Sequence, residues 1–164
     1  MNSHEGGIMP SGQDGMNTSI ARFEDLKPID YASFIKNYEP DGMRGYALIG
    51  EAGKTAPAIT GNHGFTMVIN KVNPGKGAPL HSHTKPEVFV VLSGKCAFFW
   101  GDDGKNEVVL EQWDTISFPA GTPEGFRNVA DEETNLLVVL SGSEVGEVTF
   151  TKHRDEAEAA GVEA

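Results

Sequence analysis

Residues 75–94 read Gly75-Lys-Gly-Ala-Pro-Leu-His81-Ser-His83-Thr-Lys-Pro-Glu87-Val-Phe-Val-Val-Leu-Ser-Gly94, with two imidazoles and a carboxylate at even intervals. Side chains alternate faces along a strand, so on one extended strand His81, His83 and Glu87 leave the same face and can converge on one ion. Neutral imidazole nitrogens and an ionised carboxylate are donors that Fe(II), Mn(II), Ni(II) and Zn(II) accept, and three of them leave positions open for substrate, water or dioxygen. The plain alternative is a pair of surface histidines beside a solvated glutamate. The flanks weigh against it: Pro74-Gly75 is a turn signal, and the run from Val88 to Leu92 is rich in strand formers and stops at Ser93-Gly94-Lys95.

Outward from this stretch the pattern is of short strands between turns. Segment 44–49 reads as a first strand, and in 64–72 Phe65, Met67 and Ile69 alternate with Thr66, Val68 and Asn70. After the histidine strand come 96–100 and 107–110 around the turn Asp102-Asp103-Gly104, then 115–119, 125–129, 135–141 and 145–151. Many short strands at intervals of roughly ten residues point to an all-β sandwich or jelly roll. Tyr31, Phe34 and Ile35 have helix-like spacing after Asp30, a candidate cap.

The spacing of Gly75, His81, His83, Glu87 and Gly94, with five, one, three and six residues between them, resembles the first motif of the cupin superfamily. The family's second motif is met in part. Pro119, Gly121 and Asn128 agree, Trp113 stands where the family has a turn glycine, and Glu124 stands where it has a third histidine ligand. The resemblance implies a double-stranded β-helix, a jelly-roll barrel with a metal inside its mouth and an irregular N-terminal segment before it. It divides the chain into a disordered segment 1–17, a barrel domain 18–151 and an acidic tail 152–164. Glu124 has three readings: a fourth ligand beside His81, His83 and Glu87, an acid or base next to a three-ligand metal, or a solvent-facing rim residue. A metal-free pocket is a further alternative. An added carboxylate favours Fe(II) or Mn(II), with Ni(II) and Zn(II) as the other candidates.

Composition removes several function classes. The chain has 164 residues, enough for one domain with a sizeable core, and a formal net charge of −11. That charge, with no basic patch, argues against nucleic acid, whose binding depends on cations neutralising phosphates. No apolar run is long enough to span a bilayer, and the first residues lack a charged start followed by an apolar core, so a cytoplasmic location is the expectation. Cys96 is the single cysteine and reads as a small buried hydrophobe. No GxSxG elbow, phosphate loop or CxxC pair is present.

Parity extends the site. If Glu87 points inward, Phe89 and Val91 share its face; if Glu124 does, Phe126 and Asn128 follow. His63 shares a face with Phe65 and Met67 and is a candidate further ligand or base, against the simpler reading of a strand-end residue. His4 and His153, near the ends of the chain, read as solvated. The expected partner is a small organic molecule with an apolar body and an oxygen-bearing head. Resemblance to small quercetinase-like barrels puts dioxygenase chemistry first; the alternatives are a metal-dependent decarboxylase, isomerase or lyase, and a non-enzymatic small-molecule-binding barrel. A homodimer formed through open strand edges is also expected by analogy with the family.

Overall fold

Alternation in sequence becomes alternation of burial. In β2 (Phe65–Val72) the even positions Thr66, Val68, Asn70 and Val72 are buried, and in β9 (Thr134–Ser141) so are Thr134, Leu136, Val138 and Leu140. The computed structural model describes residues 16–35 and 38–151. The other strands are β1 (Met43–Ile49), β3 (Gly77–His83), β4 (Glu87–Ser93), β5 (Lys95–Trp100), β6 (Asn106–Glu111), β7 (Thr115–Phe118), β8 (Glu124–Asn128) and β10 (Val148–Phe150). They form two five-stranded sheets, β1-β2-β9-β4-β7 and β10-β3-β8-β5-β6, with antiparallel pairing throughout. This is the expected double-stranded β-helix.

Between the sheets lies an aromatic and aliphatic core. Phe89 of β4 packs on Phe98 of β5 and Phe126 of β8 at centroid distances of 5.2 and 5.4 Å, in tilted arrangements that suit ring quadrupoles. Phe98, Val91, Leu136 and Cys96 are fully enclosed. Burial pushes the Cys96 thiol up to about 12, so it packs as a hydrophobe and offers no thiolate.

Asn128 closes the far end of the core. Its Nδ2 donates to the carbonyls of Val72 and Glu132 at 2.8 and 2.7 Å, while Oδ1 accepts from Ala130 N and Thr134 Oγ1. Every hydrogen-bonding position of this buried amide is thereby used in holding backbone together.

Two local expectations are corrected. The metal stretch is two strands rather than one: Thr84-Lys85-Pro86 breaks it, and Glu87 opens β4 in the sheet opposite β3. The helix-like segment is a single 3-10 turn, Tyr31–Ser33, and the Asp30 side chain makes no capping bond there. Trp113 adopts φ +75°, the left-handed conformation a turn glycine would take, and is 71% exposed. Of the expected disordered segment 1–17, all but Met16 and Asn17 lies outside the described residues, as do the tail 152–164, His4 and His153. No helix among the described residues is long and apolar enough to cross a membrane.

Candidate metal centre

A bulge aims the first two donors. In β3 Ala78 faces the interior, and strict alternation would send His81 outward; instead the register with β8 shifts between Ala78 and His81, around Pro79. The extra residue reverses parity, so His81 and His83 point inward. Glu87 arrives from β4 of the other sheet, and Glu124 is the first residue of β8, paired directly with His81. The four side chains are buried, at 7, 8, 6 and 1% exposure, and each offers a donor atom within 4.8 Å of the others.

Pro79 sets the tautomer of His81. Its carbonyl lies 2.7 Å from Nδ1 and can only accept, so Nδ1 carries the proton and the Nε2 lone pair is free. That Nε2 is 3.2 Å from Glu124 Oε1, and His83 Nε2 is 3.4 Å from Glu87 Oε2. Burial lowers the proton affinity of both rings, bringing His83 to about 4 with the His81 ring adding to the effect. Both imidazoles are therefore neutral near pH 7, and these contacts are converging donors rather than ion pairs.

The carboxylates behave in the opposite sense. Burial raises Glu87 to about 7, and Glu124 is raised further by burial and by the adjacent Glu87 charge. Without a cation they cannot both ionise, and a proton is retained between them. Both Glu124 oxygens, Glu87 Oε2 and His83 Nδ1 are buried without a hydrogen-bond partner. The three orphaned carboxylate oxygens are costly unless a ligand completes them. Donors about 2.1 Å from an octahedral ion lie roughly 3.0 Å apart when adjacent and 4.2 Å when opposite, close to the spacings here. The residues present fit a divalent metal ion.

A cavity offering about 70 Å³ to the centres of water-sized molecules lies beside the cluster. His81, His83 and Glu87 line it, with apolar walls from both sheets that include Phe89, Phe126 and Leu140. Glu124 is not among its lining residues; it sits behind the other three donors. The parity expected from Glu87 and Glu124 holds for Phe89, Val91, Phe126 and Asn128, all buried.

His63 does not join them. Its Nδ1 lies 3.2 Å from Gly61 O and its ring beside Phe65, on the outward face of β2. Sequence reasoning missed Tyr31 and Asn70, the two other polar side chains lining the cavity. An amide between Val68 and Val72 in the inward set of β2 was the one available signal.

Comparison with known proteins agrees with this fold. Residues 68–140 match the family described as a cupin domain. Auxin-binding protein 4 of Zea mays is 30% identical, over 65% of this chain and 52% of its own length, so the chain spans about half of that relative. Among solved structures, DMSP lyase DddQ from Ruegeria pomeroyi DSS-3 superposes with a TM-score of 0.60 at 20% identity, covering 77% of this chain and 61% of that one. The polyketide cyclase RemF from Streptomyces resistomycificus gives 0.60 at 20% identity, covering 80% and 83%.

Proposed function

The chain belongs to the cupin superfamily, and from that premise we propose that it is a metal-dependent enzyme that oxidises a small organic substrate with dioxygen. The observation that carries this reading is the contrast between the donors and the space they face. His81, His83 and Glu87 open onto a cavity with mostly apolar walls, whose only other polar lining among the described residues is Tyr31 and Asn70. Mostly apolar walls favour small molecules with an apolar body and admit dioxygen beside the donors. A redox-active ferrous or manganous ion would supply the one-electron chemistry that dioxygen needs with a closed-shell substrate.

The chain's own residues prepare that centre. The Pro79 carbonyl fixes the His81 ring, as outer partners of metal-binding histidines do. Glu87 and Glu124 bring two negative charges to match a divalent ion, leaving the buried cluster close to neutral. Phe89, Phe126 and Leu140 keep bulk water from the reacting space and pack the apolar body of the substrate.

A second reading has one observation in its favour. Glu87 and Glu124 are adjacent buried carboxyls whose proton affinities are raised by burial and, for Glu124, by the Glu87 charge, so a proton is held within the pair as a centre for decarboxylation, isomerisation or elimination requires. Set against it, Glu124 does not line the cavity, and we place it as a ligand rather than a base in contact with substrate.

Oxygen uptake separates the two readings. Protein loaded anaerobically with Fe(II) or Mn(II) is presented with flavonols, catechols and β-dicarbonyls. The proposal expects metal-dependent oxygen consumption that disappears in His81→Ala. Product formation without dioxygen would instead establish the lyase or isomerase reading, and a wild-type protein that takes up no metal would leave a binding barrel. Pairing of two copies through open edge strands remains part of the proposal, and sedimentation equilibrium tests it.

A further inference from the structure

The cavity has a second polar feature, contributed from outside the barrel. The segment from Ile29 to Ile35 crosses the mouth as a strap, held by Ile29 N donating to Gly45 O at 2.8 Å and by a bridge between Pro28 and Tyr46. Its Tyr31 is 8% exposed and lines the same cavity as His81, His83 and Glu87. The Tyr31 hydroxyl donates to Asn70 Oδ1 at 2.7 Å, and Asn70, 6% exposed, is also a lining residue.

The barrel wall is cut away to seat this strap. A Cβ on Gly45 would collide with the Tyr31 hydroxyl and ring, and one on Gly53 would collide with the Phe34 ring. The backbone of Gly45 is not in the left-handed region, so there the missing side chain supplies space rather than conformational freedom. Sealing the mouth needs only rings, and a phenylalanine would do it without burying a hydroxyl. On the inward face of β2, Val68 and Val72 flank Asn70, so nothing in the local packing calls for an amide there. Burial and the nearby Tyr38 and Glu87 raise the proton affinity of the Tyr31 hydroxyl, which therefore remains a neutral donor.

We propose that Tyr31, backed by Asn70, is a ligand-positioning residue that receives the hydrogen-bonding far end of a substrate whose oxygen head lies at the His/Glu cluster. This rests on the reading of that cluster as the reactive centre. The ligand class is a small molecule with oxygen groups at both ends of a short apolar span. The phenolic oxygen keeps its lone pairs as acceptors while its proton engages Asn70, and rotation of the hydroxyl turns it into a donor.

Short uncharged alcohols test this with and without metal. Protein-observed NMR titrations compare each n-alcohol with the α,ω-diol of the same length, from ethanol and ethanediol to pentanol and pentanediol. Cobalt(II) affinity is measured in parallel. At one chain length the second hydroxyl is expected to tighten binding about tenfold, the worth of one net hydrogen bond. Tyr31→Phe keeps the ring that packs on Phe34 and should reverse the preference to favour the alcohol, with cobalt affinity and alcohol affinity unchanged. Gly45→Ala, which displaces the hydroxyl, should do the same.

A diol preference that survives Tyr31→Phe, or none at any length in the wild type, overturns the proposal. A purely structural Tyr31 would lower the melting temperature without moving the diol-to-alcohol ratio. Failure of the wild type to bind cobalt would count against the metal centre alone, because the alcohol comparison is read on metal-free protein as well.

Discussion

His81 Nε2 and Glu124 Oε1 face each other at 3.2 Å from directly paired positions on β3 and β8. Glu124 occupies the place where the family motif has a histidine, and it brings a carboxylate to the cluster from the first position of β8. Two neutral rings and two carboxylates would cancel the charge of a divalent ion, which suits a site buried in an apolar barrel, and the second carboxylate favours harder ions that accept oxygen ligands, such as Fe(II) and Mn(II).

Metal affinity should therefore depend on all four residues. Alanine at His81 or His83 is expected to abolish stoichiometric Mn(II) binding measured by calorimetry. Glu124→Gln should weaken it by more than the roughly 10–100-fold that loss of an outer partner costs. The same substitution removes a carboxyl that burial and the Glu87 charge hold protonated, so the metal-free variant should lose less stability above pH 6.5 than metal-free wild type. A Glu124→Gln protein with unchanged Mn(II) affinity would remove Glu124 from the ligand set.

Metal-free protein should lose stability as pH rises above neutrality. Glu87 moves from 4.5 to about 7 on folding, so the folded state holds the extra proton between those values and stability falls as pH rises through that window. Glu124, raised well above 4.5 by burial and by the Glu87 charge, contributes in the same direction. His83 works the other way, losing stability as pH drops from 6.5 toward about 4, so the carboxylate effect is seen cleanly only above pH 6.5. Thermal melts should give a lower midpoint at pH 8 than at pH 6.5 without metal, and saturating Mn(II) should remove the difference because it takes the proton's place.

Trp113→Gly should stabilise the fold. The wild-type residue holds φ +75° while 71% exposed, a strained conformation with little packing in return. Relief of about 1 kcal/mol is expected, read as a higher urea midpoint at constant slope. A lower midpoint would mean that the indole makes contacts worth more than the strain.

Asn128→Ala should cost about 3 kcal/mol, because it strands the carbonyls of Val72 and Glu132 that its amide serves. Metal affinity should remain as in the wild type, since Asn128 belongs to the far end of the core. Equilibrium denaturation and calorimetry on the same samples check both halves.

The barrel was legible because its signals are local. The spacing of His81, His83 and Glu87 with their flanking glycines, and the period-two patterns of residues 64–72 and 135–141, each lie within one short window. Glu124 could be placed only through the partial second motif, and its burial depends on contacts across β3 and β8 that a linear pattern does not carry. The bulge at Pro79 was hidden for a related reason. Even spacing of three donors suggested one strand, whereas the structure reaches convergence by reversing parity in β3 and crossing to β4 in the other sheet. His63 was a candidate for the cavity only because both faces of β2 carry apolar residues; buried Val68 and Val72 define the true interior, and the simpler strand-end reading holds. Tyr31 lay in a segment whose spacing suggested a helix, and its role emerges only from the space left by Gly45.

Anomalous diffraction from crystals soaked in Mn(II) tests the metal centre most directly. The account predicts one strong peak per chain, about 2.0–2.3 Å from His81 Nε2, His83 Nε2 and oxygens of both Glu87 and Glu124. A barrel interior without an anomalous peak, or a peak bound elsewhere, would contradict it.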